Sequence, residues 1–143
     1  MDSKYNFNIK LELRNNNISS KNDYTYDIRL LDNNNIIGNI DIRPIMNPYL
    51  YYYGQIGYHI YPEYRNNNYA YKACLLIFEL AKYTYNINEL YITCSPDNIP
   101  SYKTLLKLKG RLIEVTEVPH EHELYYRDEK VKCIFHYDLN TIR

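Results

Sequence analysis

The residues best placed to do chemistry are Arg65 and the run Asn66, Asn67, Asn68, Tyr69, Ala70 that follows it. Before them, Gly54 to Tyr61 alternates as a strand, with Ile56, Tyr58 and Ile60 on one face and Gln55, Gly57 and His59 on the other. After the polar segment Pro62 to Asn68, apolar residues Ala70, Ala73, Cys74, Ile77, Phe78, Leu80 and Ala81 recur three and four apart. That spacing predicts an amphipathic helix with Lys72, Glu79 and Lys82 facing water. A helix start leaves backbone N–H groups unpaired and carries a partial positive charge, so a phosphate docked there gains hydrogen bonds and favourable electrostatics. Arg65 adds a full charge to that site.

A second group, Pro119 to Glu123, contains a His-x-His pair, His120 and His122, with neighbouring carboxylates that could bind a cation. No further Cys or His completes a ligand set at suitable spacing, so the segment reads as a solvated loop and no metal is expected. His136 reads as a structural residue of a strand. The three cysteines are widely spaced and form no metal or disulfide pattern; Cys74 and Cys94 read as buried thiols of a reducing compartment.

The elements that must position these residues follow from the same periodicities. Phe7 to Leu13 alternates as a strand, Arg14 to Asp23 is a polar connection, and Tyr24 to Leu31 pairs with Ile36 to Ile42 as a hairpin across Asp32 to Asn35. Pro44 and Pro48 bracket an irregular stretch leading to Tyr51, Tyr52 and Tyr53, a hydrophobic and hydrogen-bonding surface, a wall of a substrate pocket or a subunit contact. Leu90 to Cys94 predicts a strand, and Asn98 to Lys109 a helix stopped by Gly110. Leu112 to Val118 and Val131 to Leu139 predict two closing strands. Asn triplets at 15–17, 33–35 and 66–68 fall between periodic segments and read as turns.

Arg65 to Ala70 resembles the pyrophosphate-binding signature Gln/Arg-x-x-Gly-x-Gly/Ala of the GNAT superfamily of acetyl-CoA-dependent N-acetyltransferases. The order of elements from Ile36 to Leu139 is similar to that family as well. The resemblance implies an α+β (α/β three-layer) fold with a mixed, mostly antiparallel central sheet of about six or seven strands flanked by helices. The helical region between the first two strands is shortened here to Arg14 to Asp23. It also implies that Arg65, Asn66, Asn67, Asn68, Tyr69 and Ala70 hold the pyrophosphate of acetyl-CoA, and that Asn98 and Ser101 start the next helix beside the pantetheine arm. Backbone groups of Tyr58 and Ile60 would pair with pantetheine, and a backbone N–H would polarise the acetyl carbonyl.

Two departures from the family pattern stand out. Asn68 replaces the usual turn glycine; Asn tolerates left-handed backbone angles, though its side chain crowds the phosphates. Leu105 occupies the position, seven residues after Asn98, where many members place a Tyr that protonates the departing thiolate; Tyr102, one turn earlier, is the substitute candidate. The attacking amine must lose a proton, and the nearby titratable groups are His59 and Glu63. His59 is the candidate base against a packed strand histidine, and Glu63 reads as solvent-facing.

The implied activity is acetyl transfer from acetyl-CoA to a primary amine of a small molecule or peptide, through a ternary complex. The alternative is a non-catalytic acyl-CoA-binding or protein-interaction module on the same scaffold, motivated by Asn68, Leu105 and the missing base. The chain's 143 residues suit a single domain, 1–143. Seventeen basic residues are interspersed with 17 acidic ones, which argues against capture of nucleic acid or anionic membrane. No apolar run reaches membrane-spanning length and no signal-peptide core follows Met1 to Lys4, so a cytoplasmic protein is expected; a homodimer remains open. The 19 Tyr and 18 Asn suggest an AT-rich genome.

Overall fold

The computed structural model of the chain describes residues 3–14 and 23–141. In chain order the elements are β1 (Ile9–Leu13), β2 (Tyr24–Leu30), β3 (Ile36–Ile42), α1 (Leu50–Tyr53), β4 (Ile56–Ile60) and α2 (Tyr69–Tyr83). Then follow β5 (Glu89–Cys94), α3 (Ile99–Lys107), β6 (Arg111–Glu117), α4 (Glu123–Tyr126) and β7 (Val131–Asp138). The fold is α+β, with antiparallel sheets and flanking helices. The polar connection expected from Arg14 to Asp23, with the triplet 15–17, falls outside the described residues apart from its two ends. Among the described residues no helix is long and apolar enough to cross a membrane.

Two compact units are built from this order. The first comprises residues up to Pro44 together with Ile56–Ile87. Its sheet runs β1-β2-β3-β4, every pairing antiparallel. The β2–β3 hairpin turns where Asn34 adopts φ 63 and the Asn33 side chain accepts the Asn35 amide at 3.0 Å, so this triplet is a turn for the expected reasons. Buried Tyr26, Ile28, Ile40, Ile42, Ile56 and Ile60 form the inner face of the sheet. Against it α2 buries Ala73, Cys74, Leu76, Ile77, Phe78 and Ala81. Each large apolar side chain among these stabilises the unit by roughly 1.5 to 3 kcal/mol on burial. Glu79, expected to face water, instead accepts the Lys4 amide at 3.0 Å and the Ser3 hydroxyl, pinning the segment before β1 onto α2.

The second unit comprises Ile45–Gln55 and the residues from Asn88 onward. Its sheet runs β5-β7-β6, and the central β7 buries Lys132 to Phe135 and Tyr137. The stretch expected to be irregular contains one helical turn, α1, which Gly54 (φ 85) ends. Gln55 is tied to β5: its amide donates to the Tyr91 carbonyl at 2.7 Å and its side chain accepts the Tyr91 amide at 3.0 Å. Helix α3 ends differently from the expectation. Lys109, not Gly110, takes the left-handed conformation (φ 68). Gly110 is required by space, because a Cβ there would lie 2.3 Å from the ring of buried Tyr137, whose hydroxyl donates to the Leu105 carbonyl at 2.7 Å.

Candidate functional site

In the first unit, β4 is the terminal strand of its sheet. Strand β4 begins at Ile56 and ends at Ile60, shorter than the predicted Gly54 to Tyr61. The Tyr61 amide donates to Ile37 of β3 at 2.9 Å. Because N–H and C=O groups alternate sides along a strand, those of Tyr58 and Ile60 are therefore directed away from β3, toward the outer edge. This is the orientation that pantetheine pairing would need. Ile60 nonetheless has its carbonyl engaged, accepting Arg65 Nε at 2.9 Å.

That contact shapes the turn. Pro62–Tyr64 makes a short 3-10 turn, Arg65 is extended, and both Asn66 (φ 68) and Asn68 (φ 66, ψ 18) adopt left-handed angles. Asn67 donates its side-chain amide to the carbonyls of Tyr64 and Arg65, each at 3.1 Å, stitching the turn from within. Asn thus supplies at position 68 the backbone angle for which the family uses Gly. Asn68 occupies the N-cap of α2 but its side chain makes no capping hydrogen bond. The first turn of a 15-residue helix therefore presents its amides beside the exposed Arg65, with the macrodipole behind them. Tyr69 and Ala70 are half-buried in that turn, and the Tyr69 hydroxyl accepts Asn8 Nδ2 at 3.4 Å. His59 is exposed on the β4 face opposite Ile60, its ring 5.8 Å from that of Tyr61, so it is not a packed strand histidine. Glu63 is exposed, as expected.

In the second unit, Asn98 begins α3 as a conventional cap, its Oδ1 accepting the Ser101 amide at 3.3 Å. Tyr102 is half-buried with its ring edge-on to Phe135 at 5.4 Å. Leu105 is 1% exposed, a core residue.

The same unit holds a group that sequence reasoning missed. His122 is buried rather than solvated, at 3% exposure. Its Nδ1 accepts the Leu124 amide at 3.1 Å, which fixes the hydrogen on Nε2, and Nε2 donates to the Tyr49 carbonyl at 2.9 Å. The ring stacks on Tyr49 at 4.0 Å and lies 5.3 Å from Tyr53. Tyr53 donates to Glu123 and Tyr51 to Glu114. Burial and then these carboxylate acceptors push both phenols well above the ordinary tyrosine range. The Tyr53 and Tyr49 hydroxyls in turn hold Glu123 below the usual carboxylate range. The only sequence signal was the coincidence of a Tyr run and a His-x-His segment far apart in the chain. Both ring nitrogens of His122 are thus engaged in structural hydrogen bonds, and among the described residues no three His, Cys, Asp or Glu side chains converge as a metal site. His136 keeps a structural partner, Nε2 lying 2.7 Å from Glu89.

Residues 4–111 match the family model described as an acetyltransferase (GNAT) domain. The chain belongs to the GNAT acetyltransferase family. It is 31% identical over 86 residues to the uncharacterized N-acetyltransferase YnaD of Bacillus subtilis (strain 168), a match covering 60% of this chain and 49% of that protein. The chain thus spans about half the length of this curated relative. Among solved structures, a variant of spermidine N-acetyltransferase SpeG from Vibrio cholerae superposes with a TM-score of 0.69 at 10% identity, covering 93% of this chain and 95% of that one. The microcin C7 self-immunity acetyltransferase MccE, in complex with acetyl-CoA and AMP, superposes with a TM-score of 0.60 at 16% identity, covering 82% and 62% respectively. These structural likenesses establish the shared GNAT fold.

Proposed function

We propose that this chain is an N-acetyltransferase that passes an acetyl group from acetyl-CoA directly to a primary amine of a small molecule or peptide, within a ternary complex. The observation that carries the reading is the run from Ile56 to Tyr83, in which two left-handed Asn residues deliver an uncapped helix start beside Arg65. The pyrophosphate would accept hydrogen bonds from the first-turn amides of α2 and from Arg65, whose Nε contact with Ile60 orients the guanidinium. Pantetheine would follow the outward-directed backbone of Tyr58. A backbone N–H at the thioester would stabilise the oxyanion as charge develops.

The amine, with a pKa roughly that of Lys at 10.4, must lose a proton before it attacks. His59, exposed on β4, is the proposed base, and Tyr102 the proposed donor to the departing thiolate. Asn98 and Ser101 would sit beside the pantetheine arm, their cap fixing the start of α3. The wall formed by α1 and the His122 segment is the proposed acceptor-facing surface.

The test is CoA thiol release with acetyl-CoA over a broad amine panel. Turnover with at least one amine is expected, and Tyr102→Phe should slow it while leaving acetyl-CoA affinity unchanged; identical kinetics would remove Tyr102 from the mechanism. A second reading, a non-catalytic acyl-CoA-binding or protein-interaction module, is favoured by the burial of Leu105 at the position where relatives carry a Tyr. Tight acetyl-CoA binding without thiol release from any amine would select it.

A further inference from the structure

Cys94 ends β5, and Cys133 lies directly opposite it in β7. Facing residues of an antiparallel ladder have Cα atoms roughly 4.5 to 5.5 Å apart. That lies inside the roughly 4.4 to 6.8 Å window a disulfide needs. Their side chains leave the sheet on the same face, directly across the ladder from one another. Both are free thiols, at 4% and 2% exposure, on the face that also carries Ile92 and Phe135. Buried Lys132, adjacent in β7, places its ammonium 2.9 Å from Glu129, and the Ser95 hydroxyl donates to the same carboxylate oxygen at 3.4 Å. Burial pushes Cys94 up to about 11, with Cys133 adding to the rise and Lys132 opposing it. Burial raises Cys133 as well, with Lys132 again opposing the rise. Cys74 has no comparable setting: it lies alone in α2, pushed up to about 12 by burial.

We propose that Cys94 and Cys133 are a redox couple, a dithiol that closes to a cross-strand disulfide by exchange with a small-molecule disulfide. One cysteine thiolate attacks a sulfur of the small disulfide, breaking its S–S bond and releasing one small thiolate. The second cysteine then attacks the protein sulfur of this mixed disulfide, forming the Cys94–Cys133 bond and releasing the other small thiolate. The protein gives up two electrons and the small disulfide gains them; the two protons end on the released thiols. Local opening of the ladder admits the reagent. Closure ties the end of β5 to the central strand β7, at the point from which Ser95 leads the chain to the Asn98 cap of α3.

The test equilibrates the full chain in buffers of oxidised and reduced glutathione, approached from both the reduced and the oxidised protein, then alkylates the denatured protein and maps its peptides. At the oxidising end the protein should lose two hydrogens, yield one linked peptide pair carrying Cys94 and Cys133, and leave Cys74 alkylated. Its melting temperature should rise by about 5 °C or more, because the link constrains the unfolded chain. Dithiothreitol should reverse both changes. Cys133→Ser should abolish them and Cys74→Ala should retain them; should the serine variant fail to fold, Cys94→Ala replaces it. Free Cys94 and Cys133 at the most oxidising ratio would overturn the proposal. So would glutathione adducts alone, a link to Cys74, or a linked form that melts below the dithiol.

Discussion

Two helices of this protein begin at an asparagine, and the two asparagines do opposite things. Asn98 opens α3 from φ −85, ψ 78 and turns its side chain inward to accept the Ser101 amide. Asn68 opens α2 from φ 66, ψ 18 and makes no capping hydrogen bond. At α3 the side chain closes the helix end; at α2 the backbone bends the chain and leaves the end open. A capped start has fewer donors to offer an anion, whereas an open start with Arg65 beside it offers several. The residue type alone does not distinguish a capped helix start from an open one. The left-handed angle does, because it directs the side chain away from the amides it would otherwise satisfy.

The comparison can be broken by substitution. The largest effect is expected for Arg65→Glu, which places an anion beside the proposed pyrophosphate site: acetyl-CoA affinity should fall by about 2 to 3 kcal/mol, measured by calorimetry, with little change in melting temperature. Next, Asn68→Val should destabilise the fold by about 1 to 2 kcal/mol, since a β-branched residue resists left-handed angles, and should weaken acetyl-CoA as well; denaturant unfolding and calorimetry read the two effects. Asn98→Ala should cost about 1 kcal/mol of stability through the lost cap and less in affinity than Arg65→Glu. The smallest effect, about 0.5 kcal/mol toward tighter acetyl-CoA binding, is expected for Asn68→Gly, which keeps the angle and removes the crowding side chain. Equal losses of affinity from Asn98→Ala and Arg65→Glu would erase the distinction between the two helix ends.

Much of the first unit was legible because its signals are local. The period of α2, the β2–β3 hairpin and the turns at 33–35 and 66–68 each follow from residue types a few positions apart. What escaped notice depends on contacts between distant segments. The four-residue helices α1 and α4 are too short for a periodicity, and the burial of His122 arises from Tyr49 and Tyr53 far upstream. Gly110 looked like a helix stop, but its reason is the ring of Tyr137, and Lys109 takes the strained angle instead. The cysteines looked unrelated in sequence, whereas the β5–β7 register sets Cys94 against Cys133. Of the candidate site, the turn was readable and the chemistry was not: His59 and Tyr102 gained their surroundings only from the fold.

The most direct test of the central claim, that the open start of α2 with Arg65 holds acetyl-CoA, is a thermal melt of the chain and of Arg65→Glu, each with and without acetyl-CoA. A ligand bound only by the folded state at about 100 times its dissociation constant adds roughly 2.7 kcal/mol of stability. The account predicts a clear upward shift for the native chain and a much smaller one for Arg65→Glu at the same concentration. No shift in the native chain, or an equal shift in both, would contradict it.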